Sequence, residues 1–430
     1  MTRPTATVLV LPAPLAPVEA LLAAFPDEPA ILWAPPRGPE YCGVGVAKRI
    51  APRRGREVGD LRDRAAALLR GIVLLASPRE GAPTPRLLGG LAFDLGRRRD
   101  ARWRGFPAAV FLLPRWTYVR DGRSAWLLLA VAGGPAALDA SGWDAECTVV
   151  ERALVARRAE SPLPPARVRI LAGDGGAPTA ALQAVRSGRV GKVVVARRLG
   201  VHAAAPWDAR ATLARLRIDQ TACFRFALRM GGATFLGASP ELLVRKRGAA
   251  VETEALAGTA PATRDGARVL LTSAKEADEH QWVVRALRDA LAPHCRRLSV
   301  AARPGIRKLP GIHHLCTPVR GVLRGNRHVL DLLSALHPTP AVSGAPREAA
   351  LGWIAEHEEP RGWYAGALGW LDDKGDGEFA VALRSGLLRG RRADLWGGAG
   401  IVRDSDPGTE MEEIARKRGA MLRALGVRAR

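Results

Sequence analysis

Apolar positions in this chain come in two textures. Over residues 1–165 they form short runs at 6–11, 31–33, 71–75, 110–113 and 125–131, each bounded by Gly, Pro or Arg. Runs of that length between turn residues predict strands. Two stretches, 18–25 and 58–69, repeat their apolar residues at helical spacing and predict helices between those strands. GGLAFD at 89–94 predicts a glycine-containing strand edge. Pro162, Pro164 and Pro165 make 159–166 the best linker, dividing an N-terminal portion (1–165) of one globule from a catalytic portion (166–430).

Beyond the linker the elements lengthen. The pattern predicts a helix over 177–188, a β-branched strand over 190–198, a helix over 206–217, and strands over 222–229, 233–238, 241–247 and 250–255. One helix is predicted from 270 to about 293, with Leu270, Leu271, Ala274, Ala277, Trp282, Val283 and Val284 as its buried stripe. Strands at 298–300 and 313–322 and helices at 329–336 and 348–357 follow. Strands over 363–371, 378–388 and 393–402 and a helix over 407–425 close the chain. Consecutive strands with short turns and grouped helices define an α+β fold with antiparallel sheets.

The polar positions add chemistry. Glu276 and Glu279 are three apart and share one face of the 270–293 helix; Glu410 and Glu413 repeat the spacing after a helix start at Asp406-Pro407. Like charges held together need a cation or a proton to relieve them. The two pairs make either two solvated helix faces or an oxygen-rich site for a hard cation such as Mg2+.

Composition bounds the function classes. The 430 residues are 47% hydrophobic, enough for a large core, and carry a formal charge of +23. The basic residues are scattered, with no block of five or six and no aromatic run or zinc-finger spacing beside them. A basic nucleic-acid-binding protein would gain nothing from four acids so spaced, so that class is set aside; a diffuse positive field suits a small dianion. Five widely spaced cysteines, odd in number and without CxxC, point to a reducing cytoplasm. No apolar run reaches membrane-spanning length, and prolines at 12, 14 and 17 break the apolar N-terminus as a signal peptide.

Nine blocks then fall in one order over some 230 residues: KVVVARR (192–198), GASPELLV (237–244), ETEALAGTA (252–260), SAKEADEHQWVV (273–284), HHLCTPVRG (313–321), LHPTPAVSGAP (336–346), RGWYAGALGW (361–370), FAVALRSG (379–386) and GGAGIVRDSDPGTEMEEIARK (397–417). They resemble the chorismate-binding enzymes, among them isochorismate, salicylate and anthranilate synthases. The resemblance implies a large fold like that of anthranilate synthase component I, with two antiparallel sheets, helices outside and the active site between the sheets.

It also implies roles. Lys192 matches the family's general base for water, Glu241 its general acid, and His314 a position near the leaving hydroxyl. A buried lysine can give up its proton and a desolvated carboxyl can keep one. Glu279 and Glu413 match Mg2+ ligands, with Glu276 and Glu410 supporting them. Arg384 and Tyr364 match the grip on the pyruvyl carboxylate, approached also by the backbone of Gly398, Ala399 and Gly400, while Gly258 and Thr259 line the ring. Thr339 fits a pocket wall or a turn. Lysine at 192 favours water over ammonia, since the anthranilate enzymes usually carry glutamine there, and Ala257 stands where the aminodeoxychorismate enzymes carry a nucleophilic lysine. The resemblance therefore implies an Mg2+-dependent isochorismate synthase acting on chorismate, with no obligatory glutaminase subunit. Salicylate synthase is the alternative, and the product would feed menaquinone, a siderophore or another pathway. Ser343, Gly397, Arg403 and Asp404 depart from the family pattern.

Overall fold

A computed structural model describes residues 4–52, 58–75, 81–96, 100–139, 141–156, 168–171 and 177–427. The proposed linker lies outside the described residues. Within them the chain builds two large sheets, one of 13 strands and one of 10. Pairing is antiparallel throughout except where Ala6–Pro12 runs parallel to Ile72–Leu75. Strands from the first 165 residues join both sheets. Ala30–Ala34 pairs with Phe224–Met230 in the larger sheet, and Leu87–Leu91 pairs with Ala367–Leu371 in the smaller.

Burial explains why the strands of the larger sheet read as runs. In the Phe224–Met230 strand, Phe224, Phe226 and Leu228 enter the core between the sheets, while Ala227 enters a second core under the outer helices. Both faces are covered, so polar alternation is lost. Helices Ala209–Asp219 and Pro407–Ala424 supply Leu213, Leu216, Met421 and Leu422 to that second core.

Two predicted elements are broken in the structure, and both breaks matter for the site. The 270–293 helix divides at Ser273 into Arg264–Thr272 and Ala274–Leu291. Ser273 leaves helical geometry, and its hydroxyl accepts the Glu276 amide at 3.3 Å as the N-cap of the second helix. The buried face is consequently not the predicted apolar stripe. Leu271 is 57% exposed, and Glu276, Glu279, His280, Val283, Leu287 and Leu291 face inward. The predicted 378–388 strand likewise divides into Gly377–Val381 in the smaller sheet and Ser385–Arg389 in the larger.

That second break is one of several places where the chain changes sheets. Another is Pro240-Glu241, between Ala233–Ser239 in the larger sheet and Leu242–Arg247 in the smaller. The two crossovers lie side by side. The Val381 amide donates to the Glu241 carbonyl at 3.1 Å, and the Ala238 amide to the Arg384 carbonyl at 3.2 Å. The turn before Ala367–Leu371 joins them: Ala365 donates to Ala382 at 3.0 Å and Ala382 to Gly366 at 2.8 Å. Glu241, Tyr364 and Arg384 are thus carried on three adjacent backbone segments that leave the ladders together.

Candidate active site

A cleft with roughly 640 Å³ of empty space, open solvent included, lies at this junction. Glu241, Gly258, Thr259, Glu279, His314, Tyr364, Arg384, Gly398, Gly400 and Lys417 line it. Most residues singled out in the sequence therefore converge, although they come from seven of the nine blocks. Ala399 does not line it: the strand alternation that turns Gly398 and Gly400 inward sends its methyl to the other face, where it is fully buried. Thr339 lines no wall either; its carbonyl accepts the Val342 and Ser343 amides at 3.0 and 2.9 Å and the Ser343 hydroxyl at 2.8 Å, a turn role. Ser343, a departure from the family pattern, is fully buried and closes that turn.

The acid side is built by the crossover. Glu241 is 3% exposed. Burial, reinforced by the negative charge of Glu254, pushes its carboxyl up to about 8 against the opposing pull of Lys192 and Lys417. It therefore holds a proton at neutral pH, as a general acid must. Beside it, His314 is deeply buried. Its Nδ1 lies 3.0 Å from the Gly258 carbonyl and 3.2 Å from Thr259 Oγ1. A carbonyl only accepts, so Nδ1 carries the proton and Nε2 accepts from Arg384 Nη2 at 2.8 Å. Burial and the Arg384 charge keep the ring's pKa well below its ordinary value, so His314 is a neutral strut for the guanidinium. Arg384 reaches it from a left-handed backbone (φ 49°), uncommon for a non-glycine residue.

The opposite side holds the four predicted metal-binding acids, all buried. Each meets a lysine. Lys192 Nζ lies 3.2 Å from Glu279 Oε1. Lys275 bridges the two helices, 2.9 Å from Glu276 and 2.8 Å from Glu410. Lys417 reaches Glu413 at 2.6 Å and donates to the Gly398 carbonyl at 2.9 Å. Burial works to raise Glu279, but Lys192, Lys275 and Lys417 outweigh it and hold the carboxyl below its usual range. Glu276 is raised by burial and by Glu279, and Glu410 is pushed up to about 7 by burial and Glu413. Lys275, in turn, keeps its charge because the surrounding acids outweigh its burial.

Two glycines make this crowding feasible. A Cβ at Gly400 would stand 2.0 Å from Glu279 Oε1 and 2.9 Å from Lys192 Cε, so any side chain there would expel the pair. Gly258 takes φ 77° while the next amide, Thr259, donates to Glu276 Oε2 at 2.8 Å.

Sequence reasoning missed the lysines as partners of the acids. The i,i+4 spacing of Glu413 and Lys417 was a visible signal; that of Lys275 with Glu410 was not, since it joins separate helices. It also missed Arg361 and Glu358. Arg361 donates to Glu358 through Nε at 2.8 Å and Nη2 at 3.0 Å, and to the Val194 and Val342 carbonyls at 2.7 and 2.6 Å. Glu358 accepts the Ala196 amide at 2.8 Å. This buried pair fixes the Lys192 strand against the 342 turn, and removing one partner typically costs about 3–5 kcal/mol.

A protonated carboxyl and a buried guanidinium at paired crossovers face a carboxylate–lysine cluster across a cleft between two sheets. The chain belongs to the family of chorismate-binding enzymes, whose model matches residues 4–426. It is 40% identical over 366 residues, 80% of this chain and 75% of the relative, to the salicylate biosynthesis isochorismate synthase of Pseudomonas aeruginosa. It is 34% identical over 424 residues, 92% and 87%, to isochorismate synthase MenF of Bacillus subtilis. Among solved structures, the menaquinone-specific isochorismate synthase MenF of Escherichia coli superposes with TM-score 0.79 at 29% identity, over 99% of this chain and 96% of that one. The fold is thus the α+β, two-sheet architecture expected.

Proposed function

We infer that the chain is an isochorismate synthase, converting chorismate to isochorismate by attack of water at C2 and loss of the C4 hydroxyl as the double bonds shift. The observation that carries this reading is Glu241, a buried carboxyl that keeps its proton in the same cleft as an arginine anion grip. Hydroxide is a poor leaving group, so Glu241 gives its proton to the departing C4 oxygen, which leaves as water. Lys192 takes the proton of the attacking water on its amine lone pair. It must therefore enter the step as the free amine, parted from Glu279, one of the acids a divalent cation would claim. Arg384, braced by His314, and Tyr364 hold the pyruvyl carboxylate. Tyr364 is fit to donate, since burial pushes its hydroxyl up to about 12.

The donor set suits Mg2+: four buried carboxylates on two helices, now neutralised in part by a bridging ammonium whose place a hard cation would take. Glu279 and Glu413 would hold it, with Glu276 and Glu410 supporting. When bound it supplies positive charge to the substrate's ring carboxylate, which these acids would otherwise repel. Among the described residues no three carboxylate, histidine or cysteine side chains are gathered at ligating distance. A cytoplasmic, single-product enzyme needing no glutaminase partner is the form this reading takes; among the described residues no helix is long and apolar enough to cross a membrane.

The test is incubation with chorismate and Mg2+ in oxygen-18 water, separating isochorismate, salicylate and anthranilate. Isochorismate carrying one heavy oxygen at C2 is expected. Salicylate with pyruvate as the main product, or unlabelled isochorismate, would overturn the assignment.

A further inference from the structure

Beyond the push its charge gives Glu241, Glu254 takes no part in the reaction above. Its side chain is 11% exposed and lies on the Ala250–Pro261 strand, beside the crossover that carries Glu241. Oε1 accepts the amide of Leu242, the residue after Glu241, at 3.3 Å. The ladder is irregular there: the register between Leu242–Arg247 and Gly377–Val381 shifts between Leu242 and Val244. A side-chain oxygen thus satisfies an amide at a bulge, where ladder pairing is locally disrupted. Oε2 is held by Arg307 Nη2 at 2.5 Å, and Arg307 stands on Gly305–Leu309. The backbone immediately after the acid is therefore tied through Glu254 to a third strand.

We propose that Glu254 is a positioning residue for the acid, aiming Glu241 through the Leu242 amide and setting a carboxylate beside the crossover. This rests on Glu241 as the acid of the proposed reaction. The groups that act on Glu241 are few. Glu254 comes from its own sheet, Lys192 from Lys192–Ala203 in the other sheet, and Lys417 from the Pro407–Ala424 helix. Glu279, paired with Lys192, lines the same cleft, as do His314 and Arg384. Of the three that act on Glu241, Glu254 favours its proton, while Lys192 and Lys417 oppose it. Arg307, bound to Glu254, keeps that charge in place.

The test is the pH profile of isochorismate formation. Activity needs protonated Glu241, so its alkaline limb reports that proton. Glu254→Gln keeps an acceptor for Leu242 and removes the charge; the limb should move about one unit toward acid, with turnover at low pH near the parent's. Glu254→Asp keeps the charge but is too short to reach the amide; its limb should stay while turnover falls several-fold at every pH. Glu252→Gln is the control, since Glu252 pairs with Arg245 and Arg320 and bonds nothing at the crossover; its profile should match the parent's. A Gln variant with the parent's limb, or an Asp variant with the parent's turnover, overturns the proposal. Should the Gln variant fail to fold, the Asp variant decides alone, parent-like turnover refuting and a uniform loss with an unmoved limb supporting. Parent protein that makes no isochorismate would instead refute the function itself.

Discussion

Glu241 and Glu279 are the same residue type, both buried, both lining one cleft, and they hold opposite charge states. Glu241 sits on a crossover between sheets with no lysine in contact, and burial raises it to about 8. Glu279 sits on a helix with Lys192 at 3.2 Å and two further lysines within electrostatic reach, and stays ionised. Burial is common to both, so burial does not choose the state; the placement of ammonium groups does. One wall of the cleft therefore holds a proton while the other holds negative charge partnered by ammonium groups.

The sharpest way to break this comparison is Lys192→Gln. The carboxylate wall would keep Lys275 and Lys417, and Glu241 its proton, so only the base would be lost. Turnover should fall by roughly 10²–10⁴ with little change in chorismate KM. A modest loss measured by steady-state kinetics would mean that Lys192 serves only to neutralise Glu279.

Arg384→Lys asks whether the anion grip depends on its shape. A point charge cannot reproduce the planar fork, nor bond the carboxylate and His314 together. KM for chorismate should rise by about 10–100-fold, and KM within twofold of the parent would make Arg384 a mere cap of its strand.

Glu241→Gln tests the protonated state through stability. A carboxyl whose folded value is raised from 4.5 to about 8 contributes stability that is present below 4.5 and lost as pH rises through 8. The glutamine has no proton to lose. Its Tm should exceed the parent's at pH 8 by several degrees and the gap should shrink toward pH 5. An equal gap at both values would argue for packing rather than ionisation.

Lys275→Met should have the smallest effect. Without metal, Glu276 and Glu410 lose their shared ammonium and Tm should drop by a few degrees; saturating Mg2+ should narrow the difference from the parent. An equal drop with and without Mg2+ would place the cation elsewhere.

Much of this was legible in the sequence, for reasons that differ by residue. Glu276 and Glu279, Glu410 and Glu413 announced themselves by spacing, and Asp406 caps its helix where the pattern predicts, accepting the Thr409 amide at 2.8 Å. Ser273 was legible too, since S-x-x-E at 273–276 is a helix-start signal, but the apolar residues on either side masked it. The break at 382–384 was not. Ala382 and Leu383 continue the apolar run, and nothing in an arginine foretells a left-handed backbone. Strands Glu40–Val44 and Trp116–Asp121 were missed because each includes polar residues whose place in the sheet is set by their pairing with each other. Contacts between distant elements, such as Lys275 with Glu410 and Glu254 with Arg307, have no period to read.

The contrast between the two glutamates is most directly tested by infrared difference spectroscopy of the metal-free protein at pH 7, comparing the parent with Glu241→Gln and with Glu279→Gln. The account predicts that the first substitution removes a carboxylic-acid C=O band and the second a carboxylate band. A carboxylate band lost on replacing Glu241 would contradict it.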